Sequence, residues 1–354
     1  MKRLILILLI FALVLTLASC KKANSEVNGG GNNNESTSGG VTEQKPEPKQ
    51  TVTSGGLTYT LNKKKDGYVL TKAAVGALEY LVPSVVEGLP VVEIADGAFK
   101  NIASLKKVSI PNSVTKIGKE IFEGCKNMEE LVLPFICEKA GLAGTNFTSS
   151  IGYFFAEGTC DGSFNDWYEI QVGHGDNSVK YWIPESLTKI TVYSGVLGEY
   201  SFKGVNLTEV RLGEKIKWVS TSVFEMREEL ECVIFDAPIT SVGVDAFWNC
   251  YNLKSIKLTG ETLWIGRDAF KCCYDLEWIV LSAGTTSIGN SAFSSCHDLS
   301  KIYYLGDAAA FEKIEIGSGN TDFEEATLYI YSENPPAVEG NYWHYDDAGN
   351  PVEW

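Results

Sequence analysis

The sequence is short of what most active sites are built from. It has three histidines, His174, His297 and His344, and none of them sits at a metal-ligand spacing. No HExxH, GxSxG or phosphate-loop pattern occurs, so metallopeptidase, esterase and nucleotide-hydrolase chemistry find no anchor, and no metal or cofactor is expected. Basic residues are outnumbered: 30 Lys and Arg stand against 45 Asp and Glu, a formal net charge of −15. A chain of that sign repels polyanions, which argues against nucleic acid and anionic lipid head groups as partners. Long apolar runs are also scarce. The longest apolar run, Leu4 to Leu17, carries no charge, is too short for an ordinary bilayer span and follows the basic segment Met1-Lys2-Arg3. It reads as the core of a secretory signal peptide, residues 1–19.

That run ends in Leu17-Ala18-Ser19-Cys20, which resembles the lipobox of bacterial lipoproteins. The resemblance implies cleavage before Cys20 and lipidation of its thiol. Two or three acyl chains on one residue make a stable anchor, so the chain is expected outside the cell, on the cell membrane or the outer membrane. Loss of Lys2 and Arg3 would take the net charge from −15 to −17. Residues 20–56 follow, with Gly29-Gly30-Gly31-Asn32-Asn33-Asn34 and Ser38-Gly39-Gly40 but no apolar periodicity. Such a stretch is expected to stay disordered and to act as a spacer.

A repeat organises what comes next. Leu207, Leu230, Leu253, Leu276 and Leu299 lie 23 residues apart, as do Leu105 and Met128. Each opens a segment alternating apolar and polar residues, as in Leu253-x-x-Ile256-x-Leu258 and Leu276-x-x-Ile279-x-Leu281. A period of two is that of a β-strand with one buried face. Next comes an Ile-Gly or Val-Gly pair (Ile117-Gly118, Val242-Gly243, Ile265-Gly266, Ile288-Gly289). A small residue and a phenylalanine follow, as in Ala246-Phe247, Ala269-Phe270 and Ala292-Phe293. Cysteine often precedes the next anchor by three residues: Cys125, Cys250, Cys273 and Cys296. One such coil cannot cover its own apolar face, so stability must come from stacking. About five inward side chains per coil, each worth roughly 1.5–3 kcal/mol on burial, supply it. About eight coils spaced like neighbouring strands give a rod on the order of 40 Å.

The Ile-Gly-x-x-Ala-Phe-x-x-Cys-x-x-Leu core, complete at Ile265 to Leu276 and Ile288 to Leu299, resembles the BspA-like leucine-rich repeats of bacterial surface proteins. The resemblance implies a leucine-rich-repeat solenoid of right-handed coils, mostly β and irregular, with one short strand per repeat and a cap at each end. It spans 89–305. Residues 57–88, with the hairpin signal Lys63-Lys64-Lys65-Asp66-Gly67, are expected to cap the first coil, and the aromatic stretch 306–354 the last.

The period breaks across 134–186, read as an insertion packed on the outside of the solenoid. It holds Cys137, Cys160, Asp161, Asp166, His174 and Asp176, and Cys137 with Cys160 is a plausible disulfide. The repeat cysteines are read as buried free thiols, small apolar rungs of the stack.

Several large side chains fall where a solvated coil should be polar. Outward strand positions carry Ile234, Trp278, Val280 and Tyr303; Trp218 and Trp264 each precede an inward residue two coils apart, and Trp248 follows a core phenylalanine. Two readings stand: an apolar interaction patch, or rings that close gaps between coils. With the family resemblance, the first makes the chain a non-catalytic binding or adhesion protein presenting its repeats to an extracellular or host protein. A glycan is the alternative ligand, and a glycan hydrolase using carboxylates of the insertion the third reading.

Overall fold

The structure, a computed structural model, describes residues 47–137, 150–157, 167–172, 178–199 and 201–354. Residues 1–46, with the expected signal peptide and Cys20, lie outside the described residues, as do Cys160, Asp161, Asp166, His174 and Asp176.

The alternating segments form the strands of one 12-stranded sheet. Strands of successive repeats pair in parallel: Lys107–Ser109 with Glu130–Leu133, Glu209–Leu212 with Cys232–Phe235, Ser255–Leu258 with Trp278–Leu281, Trp278–Leu281 with Lys301–Tyr304. In Ser255–Leu258, Ile256 and Leu258 are buried while Ser255 and Lys257 stay partly exposed. The repeat also appears as bonds between residues 23 apart. Lys106 meets Glu129 at 2.6 Å, Lys116 meets Glu93 at 2.6 Å, and Thr240 Oγ1 donates to the Lys217 carbonyl.

At the far corner of each coil the phenylalanines stack. Phe202, Phe224, Phe247, Phe270, Phe293 and Phe323 follow one another at 4.9–5.1 Å with interplanar angles of 20° or less. That spacing is the strand-to-strand rise of the stack. Left-handed residues two positions before and after the ring turn the chain through this corner: Asp245 and Asn249 around Phe247, Asp268 and Cys272 around Phe270. Each coil therefore carries backbone that L-residues adopt at a cost, which is why Asn, Asp, Ser and Gly recur there.

The Ile-Gly pair lies on a second, five-stranded parallel sheet: Trp218–Val219, Ser241–Val242, Leu263–Ile265, Thr285–Ile288 and Glu315–Ile316. Its glycines are there for close approach. A Cβ on Gly266 would lie 2.6 Å from the backbone nitrogen of Val244 in the coil before. The result is a β-solenoid of about ten turns with little helix, longer than the repeat count alone implied.

The added length comes from both ends. Glu79–Leu81, inside the stretch expected to be cap, is the first strand of the large sheet. Thr327–Tyr331 and Tyr342–Tyr345 continue that sheet in parallel before Pro351–Glu353 turns back antiparallel. The spacer also ends earlier than residue 56: Thr51–Ser54 is a strand paired with Leu57–Leu61. Half-buried Val52 packs on the core, and the Leu61 amide donates to the Gln50 carbonyl. Leu57–Leu61 and Tyr68–Ala73 complete a hairpin that joins Leu89–Ile94.

The break at 134–186 contains a coil rather than only a loop. Ser150 caps a short 3-10 turn, Ile151–Phe154, and Phe155 enters the aromatic column 5.7 Å from Phe122. The Phe122 amide donates to the Phe154 carbonyl, as the Phe247 amide does to Ala269 in a regular coil. What is added is a three-stranded antiparallel sheet of Ala156–Glu157, Trp167–Val172 and Val179–Pro184, after which Lys189–Val192 rejoins the ladder beside Glu130–Leu133.

Candidate binding surfaces

The outward face of the large sheet changes character along its length. One row reads Glu79, Lys107, Glu130, Lys189, Glu209, then Cys232, Ser255, Trp278, Lys301. The first half alternates in charge, with Lys107–Glu130 at 2.8 Å and Lys189–Glu209 at 3.0 Å. The Glu209 hydrogen bond raises the Lys189 pKa. Exposed pairs of this kind contribute little to stability. They keep this half of the sheet hydrated.

The second half is covered by the chain's own last hairpin. Val280 and Tyr303, expected at the surface, are buried beneath Trp343, and Trp278 is half-buried beside them. Trp343 lies 5.3 Å from Tyr303, and Tyr303 lies 6.0 Å from Trp278. Lys257 donates to the Gly349 carbonyl at 2.7 Å, and Glu353 accepts from Lys301 at 2.7 Å and from the Tyr303 hydroxyl at 3.1 Å. Burial, then the Glu353 contact, pushes Tyr303 up to about 12. These outward residues are apolar because a hairpin rests on them. Alternation in the sequence assigns a residue to a face but not what lies on that face.

Among the described residues, no hairpin of this kind rests on the central rows of the five-stranded sheet. Trp218, Ser241, Trp264, Ser287 and Glu315 stand side by side in register on its outward face. Trp218 and Trp264 are each 43% exposed, a large fraction for an indole. Two strand spacings separate them, roughly 9.6 Å, with the short Ser241 side chain between. Trp278 belongs to the other sheet, so the expected patch is not one surface. Ile234, half-buried, sits in register with Arg211 on the large sheet. Trp248 is half-buried at the phenylalanine corner, where its carbonyl accepts from the Met226 amide.

Two exposed features lie outside the patch expected from the sequence. Tyr251, Tyr274 and His297, each following a repeat cysteine, form a stack with centroids 5.0 and 5.7 Å apart. The faces of Tyr274 are thus occupied by its neighbours, and only edges meet solvent. At the other end, the first coil exposes Val75, Leu78, Leu81 and Val85 at 77%, 56%, 76% and 54%. Position after the repeat cysteine would have pointed to the stack. The aliphatic group lies outside any full repeat.

The repeat cysteines are structural. Cys125, Cys250, Cys273 and Cys296 are buried free thiols donating to the carbonyls of Phe99, Phe224, Phe247 and Phe270 at 3.1–3.3 Å. Burial pushes Cys125 and Cys250 up to about 12 and raises Cys273 and Cys296 as well. Arg227 stands where that column lacks a cysteine; its guanidinium donates to the carbonyls of Phe202, Val205 and Glu225. Cys137 is buried, and its expected partner Cys160 lies outside the described residues. Among the described residues no cluster of three or more His, Cys, Asp or Glu is arranged to hold a metal ion.

The family model described as "BspA type Leucine rich repeat region" matches residues 89–147 and 179–325 in six copies. Among solved structures, a leucine-rich repeat protein from Bacteroides ovatus is 22% identical, with 79% of this chain and 70% of that one covered and a TM-score of 0.39. The Treponema pallidum leucine-rich repeat protein is 20% identical over 75% of this chain and 85% of its own, TM-score 0.28. A leucine-rich cell surface protein from Faecalibacterium prausnitzii is 17% identical over 77% and 99%, TM-score 0.23. No curated protein matches the chain.

Proposed function

The chain belongs to the BspA-type leucine-rich-repeat family, and from that premise we propose that it is a surface-displayed, non-catalytic binding protein. Its partner is an extracellular or host protein, engaged through the outward face of the five-stranded sheet around Trp218 and Trp264. One observation carries this reading. Two indoles stand in a single row, equally exposed and two strands apart, while on the large sheet the outward Tyr303 is buried and Trp278 half-buried under the chain's own last hairpin. Large amphipathic rings held by a rigid sheet lose little entropy on binding and anchor protein interfaces well. Lipidation at Cys20 and a spacer up to the first strand would set the domain at a distance from the membrane.

A second reading, a glycan ligand, rests on the Ser241 and Ser287 hydroxyls that alternate with the rings along the same row. Binding of the domain to an array of matrix proteins and glycans tests both. The proposal expects protein hits that weaken at least tenfold in Trp218→Ala/Trp264→Ala and persist in Trp278→Ala. Hits confined to glycans would select the second reading. Protein binding that survives loss of both exposed indoles would remove this face from the function.

A further inference from the structure

The two ends of the large sheet are finished differently. At its C-terminal end Tyr342–Tyr345 and Pro351–Glu353 turn the last edge back on itself. At its N-terminal end Glu79–Leu81 pairs with Lys107–Ser109 on one side and, among the described residues, with nothing on the other. The N-terminal hairpin Thr51–Ala73 does not supply the missing neighbour. It continues the other wall through Leu89–Ile94 and covers the core, with Tyr80 turned inward and its hydroxyl donating to the Ala74 carbonyl.

An open edge exposes backbone donors and acceptors that a further strand can satisfy, and proteins usually guard such edges with charge, proline or a bulge. Here the guard is slight: a three-residue strand with Glu79 as its one charge. Its surroundings are aliphatic. Leu78 immediately precedes the strand and Leu81 ends it, Val75 lies on the segment entering it and Val85 on the segment leaving it, each more than half exposed. Singly exposed leucines need no explanation; four such residues around an unpaired edge do.

We infer that this edge is a self-association surface, where two copies pair Glu79–Leu81 antiparallel about a two-fold axis at Tyr80. That register sets Glu79 of one copy opposite Leu81 of the other, so like charges are never directly opposed. The same face meets itself, as two-fold dimers require. An aliphatic surface without a complementary charge favours a second copy over a cationic partner, which a chain of net charge −15 would otherwise attract. The contact is small, so the association is weak, of order 100 µM.

Sedimentation velocity on residues 47–354, which form one compact unit, tests this. A monomer–dimer equilibrium is expected, strengthened as added salt screens the repulsion between two acidic bodies. Leu81→Glu, which sets a second carboxylate opposite Glu79, and Leu78→Glu change exposed side chains, so both should unfold at the wild-type temperature while weakening association at least tenfold. Trp218→Ala should leave it unchanged, which keeps this inference separate from the binding face proposed above. A protein that stays monomeric to roughly 500 µM, several times the expected constant, overturns the inference. So does a dimer that both glutamate variants leave intact.

Discussion

The Trp343 indole donates its N–H to the Tyr304 carbonyl at 3.1 Å while its ring covers Tyr303, so one side chain both caps a ladder strand and seals the apolar end of the sheet. Trp343 is fully buried. Trp343→Ala should therefore behave as a large core truncation, with a loss of about 3–5 kcal/mol. Urea unfolding monitored by circular dichroism measures it. Hydrogen exchange should locate the loosening in 278–281, 301–304 and 327–353, with the coils before residue 250 unaffected, because coils contact only their neighbours.

The same hairpin should respond to acid. The Lys301 hydrogen bond, with help from Tyr303 and Tyr329, holds Glu353 below its ordinary value of 4.5, and the partner Lys301 is raised. A depressed carboxylate contributes stability that is present above its unfolded pKa and lost as pH falls through its folded pKa. The hairpin should thus hold at neutral pH and loosen below about pH 4.5. Tryptophan fluorescence against pH should show a step from Trp343 and Trp354 that is absent in Glu353→Gln. An unchanged step in that variant would assign the transition to other carboxylates.

How much of this was legible beforehand depends on whether the information was local. The spacing from Leu253 to Leu276 to Leu299 fixes coil length, and alternation within Ser255–Leu258 fixes its inward face, so sheet, register and cysteine column follow from counting. The cover over Val280 and Tyr303 is not local: Trp343 comes from some forty residues on, and nothing near Tyr303 announces it. Phe155 was hidden for the opposite reason. Its Ile151-Gly152 signal is present, but the added segments around it displace it from the 23-residue count. The strand at Glu79 lacks a complete repeat, so its membership in the sheet emerges only from pairing with Lys107.

Gly266 tests the close approach of coils. Gly266→Ala would force a methyl to within 2.6 Å of Val244 backbone nitrogen and 2.7 Å of the Gly243 carbonyl carbon. Backbone cannot step aside as a flexible side chain can, so the expected loss is about 1–3 kcal/mol or more. Equilibrium denaturation decides it. A neutral substitution would mean that adjacent coils slide apart freely, contrary to the tight register of the five-stranded sheet.

Thiol chemistry should separate the cysteines by depth. Only a thiolate alkylates at a useful rate, and Cys125, Cys250, Cys273 and Cys296 are buried with raised pKa values. In native protein at pH 8, iodoacetamide followed by mass spectrometry should label Cys272 and Cys232 first, since both are only half-buried. Burial also raises Cys232, which slows its reaction relative to a fully exposed thiol. The four column cysteines should react only on the timescale of unfolding. Their prompt labelling would mean that the column opens locally, and the aromatic stack from Phe202 to Phe293 beside it would have to open as well.

Met226 offers a stabilising change. It holds a φ of 57° at the corner after Phe224, where the equivalent residue of the next coil is Asn249 at 60°. Its side chain is 49% exposed, so little packing is lost on replacement. Asparagine tolerates the left-handed region through local hydrogen bonding, whereas an ordinary side chain there carries about 1–2 kcal/mol of strain. Met226→Asn should raise stability by roughly 0.5–1 kcal/mol, and Asn249→Met should lower it by a similar amount. Opposite signs in thermal unfolding of the two variants would tie the effect to the corner backbone. Matching signs would tie it to the side chains instead.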